Sequence, residues 1–109
     1  MAINYNGAAL LLSARRRGFR LGSVLMLGRQ HLSLTISQLA SLEREFAVDL
    51  KTFARKSDEE MFAEPFFDYL GASAITSMDF SDYEGCSLCH DLNEPIQEQW
   101  KGKYDSVID

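Results

Sequence analysis

Residues 23–28 read SVLMLG, a short apolar block that ends on a glycine. Such a block is typical of a strand that is buried on both faces, as in a parallel sheet. The next segment repeats apolar residues at three- and four-residue steps from Ile36 to Phe46, and either Ser33 or Thr35 can cap its start. A strand followed by a helix is half of a parallel crossover unit, so this stretch predicts an α/β fold.

Further helices and strands are predicted on both sides of this unit. Apolar spacing over residues 5–17 predicts an amphipathic helix that Gly18 ends, and Pro65 begins an aromatic helix that Gly71 closes. We interpret the polar residues 48–60 as a connection or a substrate-facing loop. Three apolar segments that each end on an aspartate predict strands over 74–79, 87–91 and 104–109, with a short helix or turn over 95–103. This order of elements favours an open α/β layer sandwich with at least some parallel pairing.

The composition is that of a globular protein. The chain has 109 residues, of which 46% are hydrophobic and 25% are charged, and these values exclude collagen-like and broadly disordered classes. The longest apolar run, residues 8–12, is too short to suggest a membrane span. No basic region precedes that run, and the arginines follow it. This order is the reverse of that in a secretory signal. We therefore expect a cytoplasmic protein with no membrane partner and with both cysteines reduced.

The charge is distributed unevenly along the chain. Residues 1–56 contain nine Lys or Arg and three Asp or Glu, whereas residues 57–109 contain two and thirteen. The first half is therefore basic and the second half is acidic. Because the basic residues lack interleaved aromatic residues and a groove-reading helix, we expect complementary faces within one fold or between two copies, and no nucleic-acid partner.

The segment Cys86-Ser87-Leu88-Cys89-His90 matches the CxxCH pattern of covalent haem attachment. Haem of this type needs an exported chain, and every methionine that could be an axial ligand precedes the segment. A zinc site would need a further ligand from a carboxylate or from a second chain. We favour a third interpretation, in which Cys89 points inward from a buried strand as a small hydrophobic residue.

The ends of the predicted strands are the best candidate binding site. Parallel sheets bind ligands beyond the carboxyl ends of their strands, which places residues 28–30, Asp79, Asp91 and Asp109 around one crevice. Residues 27–31 contain one glycine, so a Walker loop and a complete GxGxxG motif are both absent from the sequence. Asp79 can accept hydrogen bonds from ribose hydroxyls or form a turn. No nucleophile, base and orienting residue can be grouped from the sequence.

Four stretches around these positions resemble a known family. Residues 24–30, 78–85, 90–96 and 104–109 look like the opening of bacterial class I methyltransferase-like proteins. The resemblance covers most of the chain from about Gly7 onward, and residues 79–96 are its most specific part. In that family a seven-stranded Rossmann-like sheet binds S-adenosylmethionine. The resemblance implies a cofactor loop at Gly28, Arg29 and Gln30, a ribose-binding acid at Asp79 and an adenine-side position at Asp91 and Leu92.

The resemblance also implies an architecture and a function. It implies a truncated Rossmann-like sheet of the class I methyltransferase type, with four mainly parallel strands in the order third, second, first, fourth and helices on both faces. Residues 1–109 would be a single partial domain that binds S-adenosylmethionine without turnover. The fourth strand would then be an open edge, so we expect a homodimer that forms through this edge or through the helix faces left bare. The alternatives are a non-enzymatic oligomeric interaction protein with the same scaffold and a small Cys/His metal or redox module.

Overall fold

A computed structural model describes residues 2–54, 61–79, 85, 87–91 and 93–109. Its α-helices and the strands of its larger sheet follow the predicted order of helix, strand, helix, helix, strand, strand, strand. In chain order the elements are β1 (Ala2–Ile3), α1 (Tyr5–Arg16), β2 (Ser23–Leu27), β3 (His31–Leu32), α2 (Ile36–Phe46), α3 (Glu64–Tyr69), β4 (Ala74–Asp79), β5 (Leu88–Cys89) and β6 (Ser106–Ile108), with 3-10 helices at Lys51–Phe53 and Glu98–Trp100.

Four of the strands form one parallel sheet. The order across it is β5, β4, β2, β6, and every neighbouring pair runs parallel. This is the expected order of third, second, first and fourth predicted strand, so the α/β class and the parallel pairing are confirmed. The predicted strand over 74–79 has the same bounds as β4, whereas β5 and β6 are shorter than predicted.

The helices begin and end where local chemistry favours it. Thr35 rather than Ser33 is the N-cap of α2, and its side chain and that of Gln38 form a reciprocal capping box. The Asn4 side chain caps α1 by accepting from the Gly7 N–H. Pro65 lies in the first turn of α3, where its missing N–H costs nothing. The helix predictions are therefore confirmed to within a few residues.

The main core lies between the three helices and one face of the sheet. Val24 and Met26 of β2 are fully buried and pack in one cluster with residues of α1, α2 and α3, including Leu12, Leu42 and Phe66. All α-helices in the described parts of the chain contribute to this cluster. They therefore lie on one face of the sheet, and not on both faces as expected. Between β5 and β6 the described residues form only a 3-10 helix, and a right-handed crossover in that direction passes over the opposite face.

A second, smaller sheet was not predicted. It joins β1 to β3 in parallel, and His31 of β3 also forms an antiparallel bridge with Phe62. Two-residue strands are too short to produce a hydrophobic period, so a sequence pattern cannot indicate them. Of the helices that the structure describes, none has the length and apolar character needed to cross a membrane.

Candidate functional site

The carboxyl ends of the four parallel strands lie along one edge of the sheet. The register pairs Leu27 with Met78, and Met78 in turn with Leu88, while Met26 pairs with Ile108. Because the strands run parallel, the residues that follow these positions lie at the same level. The edge therefore brings together the Gly28 loop, Asp79 and the start of the segment after β5, as the sequence predicts.

Backbone hydrogen bonds extend the ladder to this edge. The Gly28 N–H donates to the Met78 carbonyl at 2.7 Å, and the His90 N–H donates to the Asp79 carbonyl at 2.6 Å. The order of the strands reverses beside β2, with β4 on one side and β6 on the other. A reversal of this kind opens a crevice at the carboxyl edge, which is where ligands of open α/β sheets bind.

Gly28 adopts a conformation that other residues avoid. Its φ is +78° and it is buried. A Cβ atom in this left-handed region would cost about 1–2 kcal/mol. The turn after β2 therefore favours glycine.

Arg29 is anchored to the start of α3. Its Nη2 lies 2.6 Å from Glu64 Oε2, its Nε lies 3.0 Å from the same oxygen, and its guanidinium stands 3.6 Å from the centre of the Phe62 ring. This places Arg29 in a partly buried ion pair that joins the candidate loop to α3. Sequence reasoning missed Phe62 and Glu64, because their separation from Arg29 along the chain carries no periodic or motif signal.

Gln30 is buried within the fold. Only 2% of its surface is exposed, and its carbonyl accepts from the Ala63 N–H at 2.8 Å. No described residue accepts a hydrogen bond from its Nε2. An unmade hydrogen bond at a buried donor costs about 1–3 kcal/mol, so this amide is a costly feature of the fold.

Asp91 has a local role in the turn after β5. Its Oδ1 accepts from the Asn93 backbone N–H at 2.9 Å and from the Asn93 side chain at 3.0 Å, and its carbonyl accepts from the Glu94 N–H at 2.9 Å. These bonds define an Asx turn. Leu92, which was expected beside Asp91 at the adenine, lies outside the described residues.

The structure corrects the prediction for Cys89. This residue is exposed rather than inward-facing, because β5 is a two-residue strand at the edge of the sheet. His90 next to it meets the Trp100 ring edge-on at 5.3 Å. Cys86 lies outside the described residues, and within the described ranges no three His, Cys, Asp or Glu side chains are grouped as metal ligands.

The predicted site residues thus fall into two groups. The edge brings together Gly28 and Asp79, and Gln30 is buried close by in sequence, whereas Arg29 is held by Glu64 of α3 and Asp91 by its own turn. Comparison of the chain with family models, with curated proteins and with solved structures finds no match.

Proposed function

We propose that this chain binds S-adenosylmethionine or a related adenosyl ligand at the carboxyl edge of its parallel sheet. The observation that carries the proposal is the position of Gly28 and Asp79. They end neighbouring strands at the same level, beside the point where the strand order reverses. A glycine turn after one strand and an acid after the next are the two elements by which Rossmann-like sheets hold a nucleoside.

The residues at this edge suit the parts of such a ligand. Gly28 carries no side chain of its own that would keep a ligand from the backbone, and its φ of +78° favours glycine at this position. The Gln30 amide, with its Nε2 unbonded within the described chain, offers a donor for a carboxylate or hydroxyl oxygen. These two features favour binding of the methionine side of the ligand at the loop.

Asp79 is assigned to the ribose. A carboxylate has about four lone-pair sites, so it can accept from both hydroxyls of a ribose while keeping a bond within the protein. Asp79 is half-buried at the end of β4, where lowered solvent access strengthens such bonds. We place the adenine toward the turn after β5, on the side of Asp91.

We propose binding without turnover by these 109 residues. Methyl transfer depends on holding two substrates in line, and most of the rate enhancement comes from that positioning. The resemblance concerns the cofactor-binding half of the family's fold, and the residues quoted for it assign no site to a methyl acceptor.

Isothermal titration with S-adenosylhomocysteine tests this proposal. We expect micromolar binding by the wild-type chain and at least a roughly tenfold loss in Asp79→Ala, since a lost bond to a charged group is worth about 1.5–3 kcal/mol. Asp68→Ala is the matched control, because this carboxylate is exposed on α3 and should leave binding unchanged. Absence of heat from a folded protein would reject the proposal.

One observation favours a second function, an interaction protein that associates through β6. This strand is the last in the sheet order, and Val107 is 56% exposed on the face opposite the main core. Edge strands with exposed apolar residues pair with other chains. A second copy would extend the sheet. Light scattering at tens of micromolar should show a dimer that Val107→Lys dissociates, and a wild-type monomer at that concentration would reject this alternative.

A further inference from the structure

A second concave surface lies among the ends of the three helices. It is a cleft of about 410 Å³, which is within the usual range for small-molecule sites. Its lining comes from all three helices and from the segment after α2, and it combines polar and apolar side chains. The lining includes Leu12, Arg15, Arg16, Phe46, Val48 and Tyr69.

This cleft is on the far side of the fold from the Gly28 loop. The helix α1 ends at Arg16, shortly before β2 begins, and α3 ends at Tyr69, shortly before β4 begins. The helix α2 starts after the carboxyl end of β2 and runs back along the sheet to Phe46. All three helix ends therefore lie toward the amino edge of the sheet, and the cleft is separate from the proposed adenosyl site.

Two arginines that form no ion pair with a described carboxylate border the cleft. The Arg15 guanidinium stands 5.0 Å from the centre of the Tyr69 ring, and that of Arg16 stands 5.4 Å from the centre of the Phe46 ring. Arg16 donates one hydrogen bond, at 3.3 Å, to the Glu45 carbonyl. Neither arginine forms an ion pair with any carboxylate in the described parts of the chain.

The helix dipole explains only part of this arrangement. A helix C-terminus carries about half a negative charge, so arginines in the last turn of α1 are favourable there. The dipole does not require an apolar cleft between the arginines or aromatic rings beneath them. Each ring restrains a guanidinium by a cation–π contact while most of its N–H donors stay available.

We propose that the cleft binds a small organic anion with an apolar body, such as an aromatic carboxylate. The apolar part would contact Leu12 and Val48, and the carboxylate would accept hydrogen bonds from Arg15 and Arg16. Guanidinium groups match carboxylates in geometry, and the bonds are charge-assisted. The apolar side chains of the lining and two cations without a described carboxylate partner together select an amphipathic anion. Inorganic phosphate cannot use the apolar side chains, and a neutral aromatic molecule cannot use the cations.

Three small-molecule probes test this proposal on the whole chain. Titration with 1-naphthoate, with 1-naphthamide and with inorganic phosphate is followed by ¹H–¹⁵N NMR, including the Nε–Hε signals of Arg15 and Arg16. We expect naphthoate to bind with a dissociation constant of about 1 mM or tighter, and naphthamide and phosphate to bind at least about tenfold more weakly. Equal binding of naphthoate and naphthamide, or tighter binding of phosphate, would overturn the proposal.

Variants locate the binding. The double variant Arg15→Gln, Arg16→Gln should weaken naphthoate binding at least about tenfold. The matched pair Arg17→Gln and Arg20→Gln removes the same charge from exposed positions outside the cleft lining and should preserve binding.

Val48→Trp keeps the charge and fills the volume, so it should also weaken binding. This variant tests the location independently if the double variant of Arg15 and Arg16 does not fold. Normal naphthoate binding by a folded Val48→Trp protein, or loss of binding in the Arg17 and Arg20 control, would overturn the assignment.

Discussion

Substitution of Gly22 by alanine should separate β6 from β2. Gly22 has a φ of +62°, and a Cβ atom there would overlap Asp105 Oδ2 and lie 2.8 Å from Asp105 Cβ. The Asp105 carboxylate accepts from the Ser23 N–H at 2.9 Å and from the Ser23 hydroxyl at 3.1 Å, and the Asp105 N–H donates back to the Ser23 carbonyl. These hydrogen bonds hold the start of β6 beside β2. The pairing of β6 with β2 creates the reversal in strand order.

Two contributions make up the expected loss in the free energy of unfolding. The left-handed conformation costs an alanine about 1–2 kcal/mol, and displacement of the carboxylate removes two hydrogen bonds worth about 0.5–1.5 kcal/mol each. Gly22→Ala should therefore lower the free energy of unfolding by about 2–5 kcal/mol. Gly102→Ala is the matched control, because its φ is +67° but nothing lies within 4 Å of the added Cβ. It should cost only the first contribution.

Urea denaturation followed by circular dichroism measures both free energies. In an Asp105→Gly background the obstructing atoms are gone, so Gly22→Ala should cost no more than the control, with a coupling energy of about 1–3 kcal/mol. Equal destabilisation by Gly22→Ala and Gly102→Ala in the wild-type background would refute the contact between the Gly22 turn and Asp105.

Three further predictions concern the helices and the turn after α2. Thr35→Ala should lower the free energy of unfolding by about 1 kcal/mol in urea denaturation, whereas Ser33→Ala should not, because only Thr35 caps α2. Phe66→Ala should cost about 3–5 kcal/mol in the same assay, since this ring is fully buried, and a loss below about 1 kcal/mol would contradict its place in the core. The pKa of Asp49 is lowered, chiefly because the Lys51 N–H donates to its carboxylate and secondly by the Lys51 charge. Its stabilising contribution should thus be present at neutral pH and be lost as the pH falls through the folded pKa, so Asp49→Asn should lower stability at neutral pH but not in acid.

Local signals in the sequence predicted most of the sheet and the helix starts. The two predicted strands over 23–28 and 74–79 are neighbours in the sheet. The continuous apolar run of the first is typical of a strand that is buried on both faces of a parallel sheet. The sequence could not distinguish Ser33 from Thr35 as the N-cap of α2, since either hydroxyl can accept a hydrogen bond from a helix N-terminus.

The parts of the site that were missed depend on long-range contacts. The ion pair of Arg29 with Glu64 joins residues 35 positions apart, and no local pattern encodes it. Cys89 was predicted to point inward because an apolar segment resembles a buried strand, but its strand is at the edge of the sheet, where one residue step decides exposure. The cleft at the helix ends likewise depends on how three separate helices pack.

An NMR titration of the ¹⁵N-labelled chain with S-adenosylhomocysteine tests the central claim most directly. Binding at the carboxyl edge predicts that the largest shifts occur at the backbone amides of Gly28, Asp79 and His90, with little change at Phe46 and Tyr69 on the opposite side of the fold. An unchanged spectrum at saturating ligand, or shifts that are largest at Phe46 and Tyr69, would contradict the account.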